Sequence, residues 1–305
     1  MRALLGTLRP DAFTLSLLAT VALATVLPAR GPVAAALSAL TTVGIGVLFF
    51  LHGARLSRQA IVDGAAHWRL HLAVLASTFV LFPLLGELLG LASPALVRPP
   101  IAAGLLFVCL LPSTVQSSIA FTSVAGGNIP AAVCSASLSN VLGVFVTPLL
   151  VSLLLAPGSP AAAGASDGRG QAVGRIVLEL LVPFVLGHLS RPWTGTWVDA
   201  HRAVLSYVDR GSIMLVVYTA FSAAVVEGLW GVLSGRDLAT VLLGSSALLA
   251  AVLTLTTWGA RRLGFARPDE ITLVFCGSKK SLASGVPLAN VLFPPASVGV
   301  VLVPL

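Results

Sequence analysis

The chain has 305 residues, of which 57% are hydrophobic and 10% are charged, and its formal net charge is +7. Soluble domains carry about 25% charged residues, so this composition excludes a soluble protein and predicts helices that lie in a lipid bilayer. The three cysteines lie in apolar segments without CxxC or metal-ligand spacing, which argues against disulfides and metal sites. The basic residues are scattered through short loops, which favours membrane topology over nucleic-acid binding as their explanation.

Apolar runs between proline, glycine and charged clusters predict ten helices in chain order. A helix needs about 20 residues to cross a hydrocarbon core of about 30 Å. The tenth run is about half that length, so we expect helix ten to be truncated in this sequence. The predicted spans are residues 12–28, 33–52, 70–91, 99–124, 129–155, 173–189, 211–231, 238–259, 270–292 and 296–305.

The first five and the last five spans have similar spacing, and a linker rich in Gly, Ser and Ala at residues 156–172 separates them. An odd number of spans in each set reverses the second set in the membrane. Residues 1–155 and 173–305 are therefore predicted to form two inverted five-helix repeats, as in many secondary transporters. A signal peptide is the alternative interpretation of the first span, because a short basic start precedes its apolar run.

The distribution of arginines predicts the orientation. With a cytoplasmic N-terminus, eleven arginines lie inside and five lie outside, which agrees with the positive-inside rule. We therefore expect a multi-pass protein of the plasma (inner) membrane with its N-terminus in the cytoplasm. The inside set is Arg2, Arg9, Arg55, Arg58, Arg69, Arg191, Arg202, Arg210, Arg261, Arg262 and Arg267, and the outside set is Arg30, Arg98, Arg169, Arg175 and Arg236. The tryptophans are expected at span ends, and they are Trp68, Trp193, Trp197, Trp230 and Trp258.

Span four is interrupted by Pro112 and by a run of hydroxyl and amide side chains. Proline removes a backbone donor and clashes with the preceding turn, so the helix is expected to unwind there and to free carbonyl groups. In a membrane such carbonyls need neighbouring helices, water or a bound ion. Small hydroxyl residues also serve helix packing, which is the structural alternative for each of them. The candidate site residues of this segment are Ser113, Thr114, Gln116, Ser117, Ser118, Thr122 and Asn128.

Span five places Ser135, Ser139 and Asn140 on one helical side, because residues four apart are neighbours on a helix. They are predicted either to complete a site with span four or to hold neighbouring helices together.

Span nine carries the two lysines of the chain, Lys279 and Lys280, near its middle. A lysine that faces lipid costs several kcal/mol, so at least one is predicted to face the protein or a wet cavity. Adjacent residues are about 100° apart on a helix, so the two share a face only if the helix breaks. A buried lysine can release its proton, whereas arginine stays charged. The alternative is snorkelling to an interface. The candidate site residues here are Cys276, Gly277, Ser278, Lys279, Lys280, Ser281 and Ser284.

At these two segments the sequence resembles the bile acid:sodium symporter superfamily, and in particular its SBF-like branch, through the run Cys-Gly-Ser-Lys-Lys-Ser-Leu-Ala-Ser-Gly-Val-Pro at 276–287. The resemblance covers nearly the whole chain. It implies an all-α polytopic membrane protein of ten helices in two inverted five-helix repeats. Broken, crossing helices four and nine belong to a core domain, and spans one, two, six and seven form a panel domain. The two domains move against each other in alternating access.

The resemblance also implies a sodium site, with ligands at Ser117, Ser118, Ser135, Ser139, Cys276, Ser278 and Lys279. Phe275 stands where the sodium-coupled members have a carboxylate, and Lys279 replaces a neutral ligand. Because a second buried positive charge beside a lysine is costly without a carboxylate, a fixed cation is expected to take the electrostatic role of a bound sodium. Coupling to sodium and coupling to protons are both predicted as possibilities for this site, and no other cofactor is predicted.

These features predict a secondary active transporter of a small organic anion, with Lys279 or Lys280 compensating the substrate charge. A sodium symporter for carboxylated solutes is an alternative, and a sodium-independent or non-transporting regulator of ion handling with the same fold is another. The chain has no HExxH and no paired intramembrane aspartates, so no enzyme is predicted. The expected partners are the small organic anion and the lipid bilayer, without nucleic acid.

Overall fold

Helices are the only regular structure in the residues that the computed structural model describes, which are 12–55, 67–91, 97–155, 177–293 and 295–305. We number them α1 to α10 and divide α4 and α9 into halves. They are α1 Ala12–Val26, α2 Gly31–Arg55, α3 Trp68–Gly90, α4a Pro99–Leu110, α4b Val115–Val124, α5 Ile129–Leu154, α6 (a π-helical turn Val177–Leu181 and then Val182–Ala200), α7 Arg202–Val226, α8 Gly235–Arg262, α9a Arg267–Ser278, α9b Leu282–Leu292 and α10 Pro295–Leu302. A short helix, Leu229–Val232, joins α7 to α8.

Within the described ranges, five helices are long and apolar enough to cross a membrane, namely α2, α3, α5, α7 and α8. A sixth span results if the bent pair α4a and α4b, with an angle of 66° between its halves, is counted as one. Each apolar run predicted from the sequence overlaps a helix of the described residues, and runs four and nine each overlap two half-helices. The number of crossings and the inverted repeats stay predictions, and the linker at 156–172 lies outside the described residues.

The boundary between spans six and seven differs from the prediction. Helix α6 does not end near residue 189 but continues to Ala200, and α7 begins at Arg202 instead of residue 211. Arg191 and Pro192 interrupt the apolar run, but Arg191 donates a hydrogen bond of 2.7 Å to the carbonyl of Ala54, so tertiary contact supports a continued helix. Trp193 and Trp197 consequently lie within α6 beyond the predicted end of the span.

Helices α1, α2, α6 and α7 pack on one another, and α7 also contacts α9b and α10. The closest approach is between α2 and α6. A Cβ atom on Gly53 would lie 1.9 Å from the carbonyl oxygen of Phe184, and one on Gly187 would lie 1.9 Å from that of Phe50. The two backbones touch, because glycine allows membrane helices to approach closely. The resemblance assigns these four helices to a panel domain, which stays a prediction.

Polar contacts hold both ends of the bent helix α4. At the start of α4a, Arg98 pairs with Asp237 at 2.9 Å, and Asp237 forms the capping box of α8 with Ser234. At the end of α4b, Asn128 caps α5 by accepting from the amide of Ala131, and its Nδ2 donates to Asp269 at 2.9 Å. These contacts fix α4 to α8 at one end and to α9a at the other, so the position of its break is defined.

Replacing Gly187 by alanine is expected to destabilise the protein, because the new Cβ would overlap the backbone of Phe50. Overpacking of this kind costs about 1–3 kcal/mol, so the melting temperature in detergent should fall by roughly 5 °C. Gly211→Ala is the matched control, since nothing lies within 4 Å of a Cβ there. Equal melting temperatures for the two variants would contradict the close contact of α2 and α6.

Candidate functional site

The interruptions of α4 and α9 lie against each other. Helix α4 is unwound between Leu110 and Val115, and α9 is unwound between Ser278 and Leu282. The amide of Ser281 donates to the carbonyl of Pro112 at 2.8 Å. In the other direction, the hydroxyl of Thr114 donates to the carbonyl of Lys280 at 2.6 Å. The two polar segments singled out in the sequence therefore meet in one place.

The backbone carbonyls released at the α4 break all find donors. Pro112 has no N–H, and the amide of Ser113 donates to the hydroxyl of Ser139 at 3.0 Å instead of continuing the helix. Every carbonyl from residue 109 to residue 113 has a partner on another helix. Cys109 and Leu111 accept from Lys280 Nζ, Leu110 from the hydroxyl of Thr147, Pro112 from the amide of Ser281, and Ser113 from Asn140 Nδ2.

The carbonyls near the α9 break are satisfied by hydroxyl groups of other helices. On α4b and the α4 break, Ser118 donates to Phe275 at 3.2 Å and Ser113 donates to Cys276 at 2.6 Å. On α3, Ser77 donates to Gly277 at 2.9 Å. The hydroxyls therefore serve as backbone donors, which is the structural alternative that the sequence left open for them. A hydroxyl that donates keeps its lone pairs, but Ser77, Ser113 and Ser118 are all buried.

Lys280 extends into a site built from backbone carbonyls. Its Nζ donates to Thr78 at 2.9 Å and to Cys109 and Leu111 at 2.8 Å each. The same atom lies 4.1 Å from the ring centroid of Phe82, within the range of a cation–π contact. The ion pairs among the described residues do not include Lys280. The ammonium group is therefore held by dipoles and an aromatic ring.

Helix α3 supplies one of these carbonyls because of a local irregularity. Residues Ser77–Leu81 form a π-helical turn, in which the amide of Phe82 donates to Ser77. The next residue is Pro83, which has no N–H. The carbonyl of Thr78 is thereby left without a helical donor and accepts from Lys280. The sequence analysis missed Ser77, Thr78 and Phe82, although Pro83 inside an apolar span is the same signal that identified Pro112.

Lys279 lies in different surroundings from Lys280. The helix is broken here, and Lys279 has an extended backbone, with φ −111° and ψ 143°. Its Nζ lies 4.1 Å from the ring centroid of Phe121 and 5.5 Å from that of Phe275, and these two rings stack at 5.6 Å. Phe121 is 45% exposed, and Lys279 is half-buried. Lys280 is half-buried as well, but its three N–H groups are used by carbonyls, whereas the hydrogen bonds among the described residues include none from Lys279 Nζ.

Helix α5 closes the site on one side. The hydroxyl of Ser135 is 2.6 Å from Nδ1 of His71 on α3, a buried histidine that the sequence analysis missed. Asn140 Oδ1 accepts from the hydroxyl of Ser284 at 2.9 Å, while its Nδ2 binds the α4 break. Ser281 caps α9b by accepting from the amide of Ser284 at 3.2 Å. These contacts join α5, α4 and α9b.

Some of the predicted residues are not part of this arrangement. Gln116 is exposed and Ser117 is half-buried on α4b. Thr122 is buried one turn beyond Ser118. Asn128 lies with Asp269 at the start of α9a, which is about 18 Å from the break for a helix of twelve residues. Asn128 therefore connects helices at the far end and is separated from the lysines.

Comparisons with known proteins agree with the family that the interrupted helices resemble. The model of the SBF-like CPA transporter family matches residues 11–305. An uncharacterized protein of Pseudomonas aeruginosa is 58% identical over 296 residues, or 97% of this chain and 87% of that protein. "Putative symporter YfeH" of Escherichia coli is 53% identical over 295 residues, with the same coverage. "Sodium/bile acid cotransporter 7" of Xenopus tropicalis is 25% identical over 301 residues, or 95% of this chain and 84% of that protein.

Replacing Ser113 by alanine is expected to destabilise the crossing of the two breaks. The substitution removes the hydroxyl that donates to Cys276 and leaves that buried carbonyl unpaired. An unsatisfied buried group costs about 1–3 kcal/mol, so the melting temperature in detergent should fall by several degrees. Ser123→Ala, at an exposed position of α4b, is the control. A Ser113→Ala variant as stable as the control would refute this structural role.

Proposed function

This chain belongs to the SBF-like CPA transporter family, and we propose that it moves a small organic anion across the membrane by alternating access. The family and the names of the relatives make it a membrane transporter of the bile acid:sodium symporter type and not an enzyme. The substrate class, the mechanism and the roles of individual residues are our proposal.

The environment of Lys279 is the observation that carries this proposal. Its ammonium group lies at the crossing of two broken helices, with contacts to the rings of Phe121 and Phe275. The ion pairs among the described residues leave it without a carboxylate. An intramembrane cation calls for a counter-charge, and in this chain an anionic substrate supplies it. The two rings offer an apolar surface to the body of that substrate.

Alternating access is supported by the grouping of the helices. Helices α1, α2, α6 and α7 pack together, whereas the breaks are surrounded by α3, α5 and α9b. We propose that the first group is the panel and that the second belongs to the core. The breaks at Pro112 and Lys280 occupy matching places in the segments 1–155 and 173–305, which supports the inverted repeats. We further propose an inner-membrane location with the N-terminus in the cytoplasm.

Sodium symport is the second candidate, and it is favoured by the name of the Xenopus relative. Ser117, Ser118, Ser135 and Ser139 are the residues that would hold the ion. The hydroxyl of Ser118 donates to Phe275, that of Ser139 accepts from Ser113, and that of Ser135 is bonded to His71, but a hydroxyl still keeps a lone pair for an ion. The fit to sodium is poor because Phe275 provides no carboxylate to balance the charge of the ion. We therefore propose sodium-independent transport, with proton coupling as the alternative to a freely equilibrating carrier.

Changing Lys279 to glutamine should abolish uptake without loss of the fold, because its ammonium group contacts aromatic rings rather than buried carbonyls. We expect uptake into proteoliposomes to fall at least tenfold, about 1.4 kcal/mol or more, for radiolabelled carboxylates that include a bile acid. Lys279→Arg keeps the charge and is the control for folding and for charge. The melting temperature of each variant should stay near that of the wild type. Unchanged uptake by Lys279→Gln and by the double variant with Lys280→Gln would exclude our proposal.

Replacing sodium by choline should leave wild-type uptake within twofold, because the fixed ammonium groups stand in place of a bound ion. The measurement is initial uptake in sodium and choline buffers at matched osmolarity. Loss of uptake in choline, together with sodium-dependent thermal stabilisation that Ser118→Ala removes, would establish sodium symport instead. A proton ionophore distinguishes proton coupling from a carrier that only equilibrates its substrate.

A further inference from the structure

The three carbonyls around Lys280 have the form of a binding site for a monovalent cation. We infer that Thr78, Cys109 and Leu111 constitute such a site and that the protein fills it with its own ammonium group. The ligands are three backbone carbonyl oxygens, which lie 2.8–2.9 Å from Lys280 Nζ, and the ring of Phe82 is a fourth contact. Rings of backbone carbonyls replace the hydration shell of potassium in ion channels.

The number of acceptors defines the charge of the occupant. A protonated lysine has three N–H donors and no acceptor. A neutral amine has two N–H groups and a lone pair, so one of the three carbonyls would face that lone pair without a hydrogen bond. Only the charged ammonium therefore satisfies all three carbonyls around Lys280 Nζ with hydrogen bonds.

The site exists independently of the lysine side chain that occupies it. The carbonyl of Thr78 is free because Pro83 lacks an N–H, and that of Cys109 is free because the amide of Ser113 donates to Ser139. Both causes lie in the backbone of α3 and α4 and persist when the side chain at 280 is shortened. Three unpaired carbonyls inside a membrane protein are costly, so a small cation should bind there when the ammonium group is removed.

This arrangement has a consequence for transport, which rests on the proposed function. A covalently attached cation stays with α9 through the whole cycle, so no ion has to bind or leave at this position. The cation at the crossing is part of the chain, and Lys279 is left to respond to the substrate. Binding of cations to a Lys280 variant can be measured without an uptake assay, so it is tested independently of the proposed function.

Thermal stability in different salts tests the inference. The melting of Lys280→Ala, followed by size-exclusion of the detergent-solubilised protein after heating, is compared in sodium, potassium, methylammonium and choline chlorides. We expect a melting temperature several degrees higher in at least one small cation than in choline, which is too large for the site. Methylammonium should be effective because it carries the same donor group. The melting temperature of the wild type should be the same in all four salts, and so should that of Lys279→Ala.

Lys280→Met is the second variant, because its side chain occupies much of the lysine volume without a charge. We expect it to be less stable than the wild type and insensitive to the salt. Equal melting of Lys280→Ala in all four salts would overturn the inference, and so would the absence of a folded peak in every salt, because a small cation should replace the ammonium. If the wild type transports no anion but Lys280→Ala responds to small cations, the proposed function fails and the cation site stands.

Discussion

The need to pair backbone carbonyls away from water governs the centre of this protein. Helices α4 and α9 are broken where they meet, and each break exposes carbonyls that bilayer lipid could not satisfy. Hydroxyls of α4 donate to carbonyls of α9, and groups at the α9 break donate to carbonyls of α4. Each break therefore supplies hydrogen-bond donors that the other lacks.

The two adjacent lysines lie in different environments. Lys280 donates to three carbonyls, whereas Lys279 rests on aromatic rings, and both side chains are half-buried. The extended backbone at the break separates the two side chains, which a continuous helix would direct only about 100° apart. A structural cation and a cation open to ligands can thus be neighbours in sequence without competing for one environment.

Phe275 changes the charge of the site relative to the family pattern. The resemblance expects a carboxylate there, which would neutralise cations beside it, and this chain has a ring that stacks on Phe121 under the ammonium group of Lys279. A ring face attracts a cation without cancelling its charge. The exchange of carboxylate for ring and of neutral ligand for lysine therefore leaves a positive charge at the site, which our proposal assigns to the recognition of an anion.

Apolar runs, prolines and charges act through local physics, so the helices, apart from the boundary between α6 and α7, and the two breaks with their lysines could be predicted from the sequence. The motif around Lys279 and Lys280 also indicated the family. The packing of the helices decides which carbonyls Lys280 approaches, that α3 takes part, and that Asn128 belongs to a distant helix contact. Lys280 and Thr78 are 202 residues apart in the chain, and no local pattern encodes a hydrogen bond that depends on how separate helices pack.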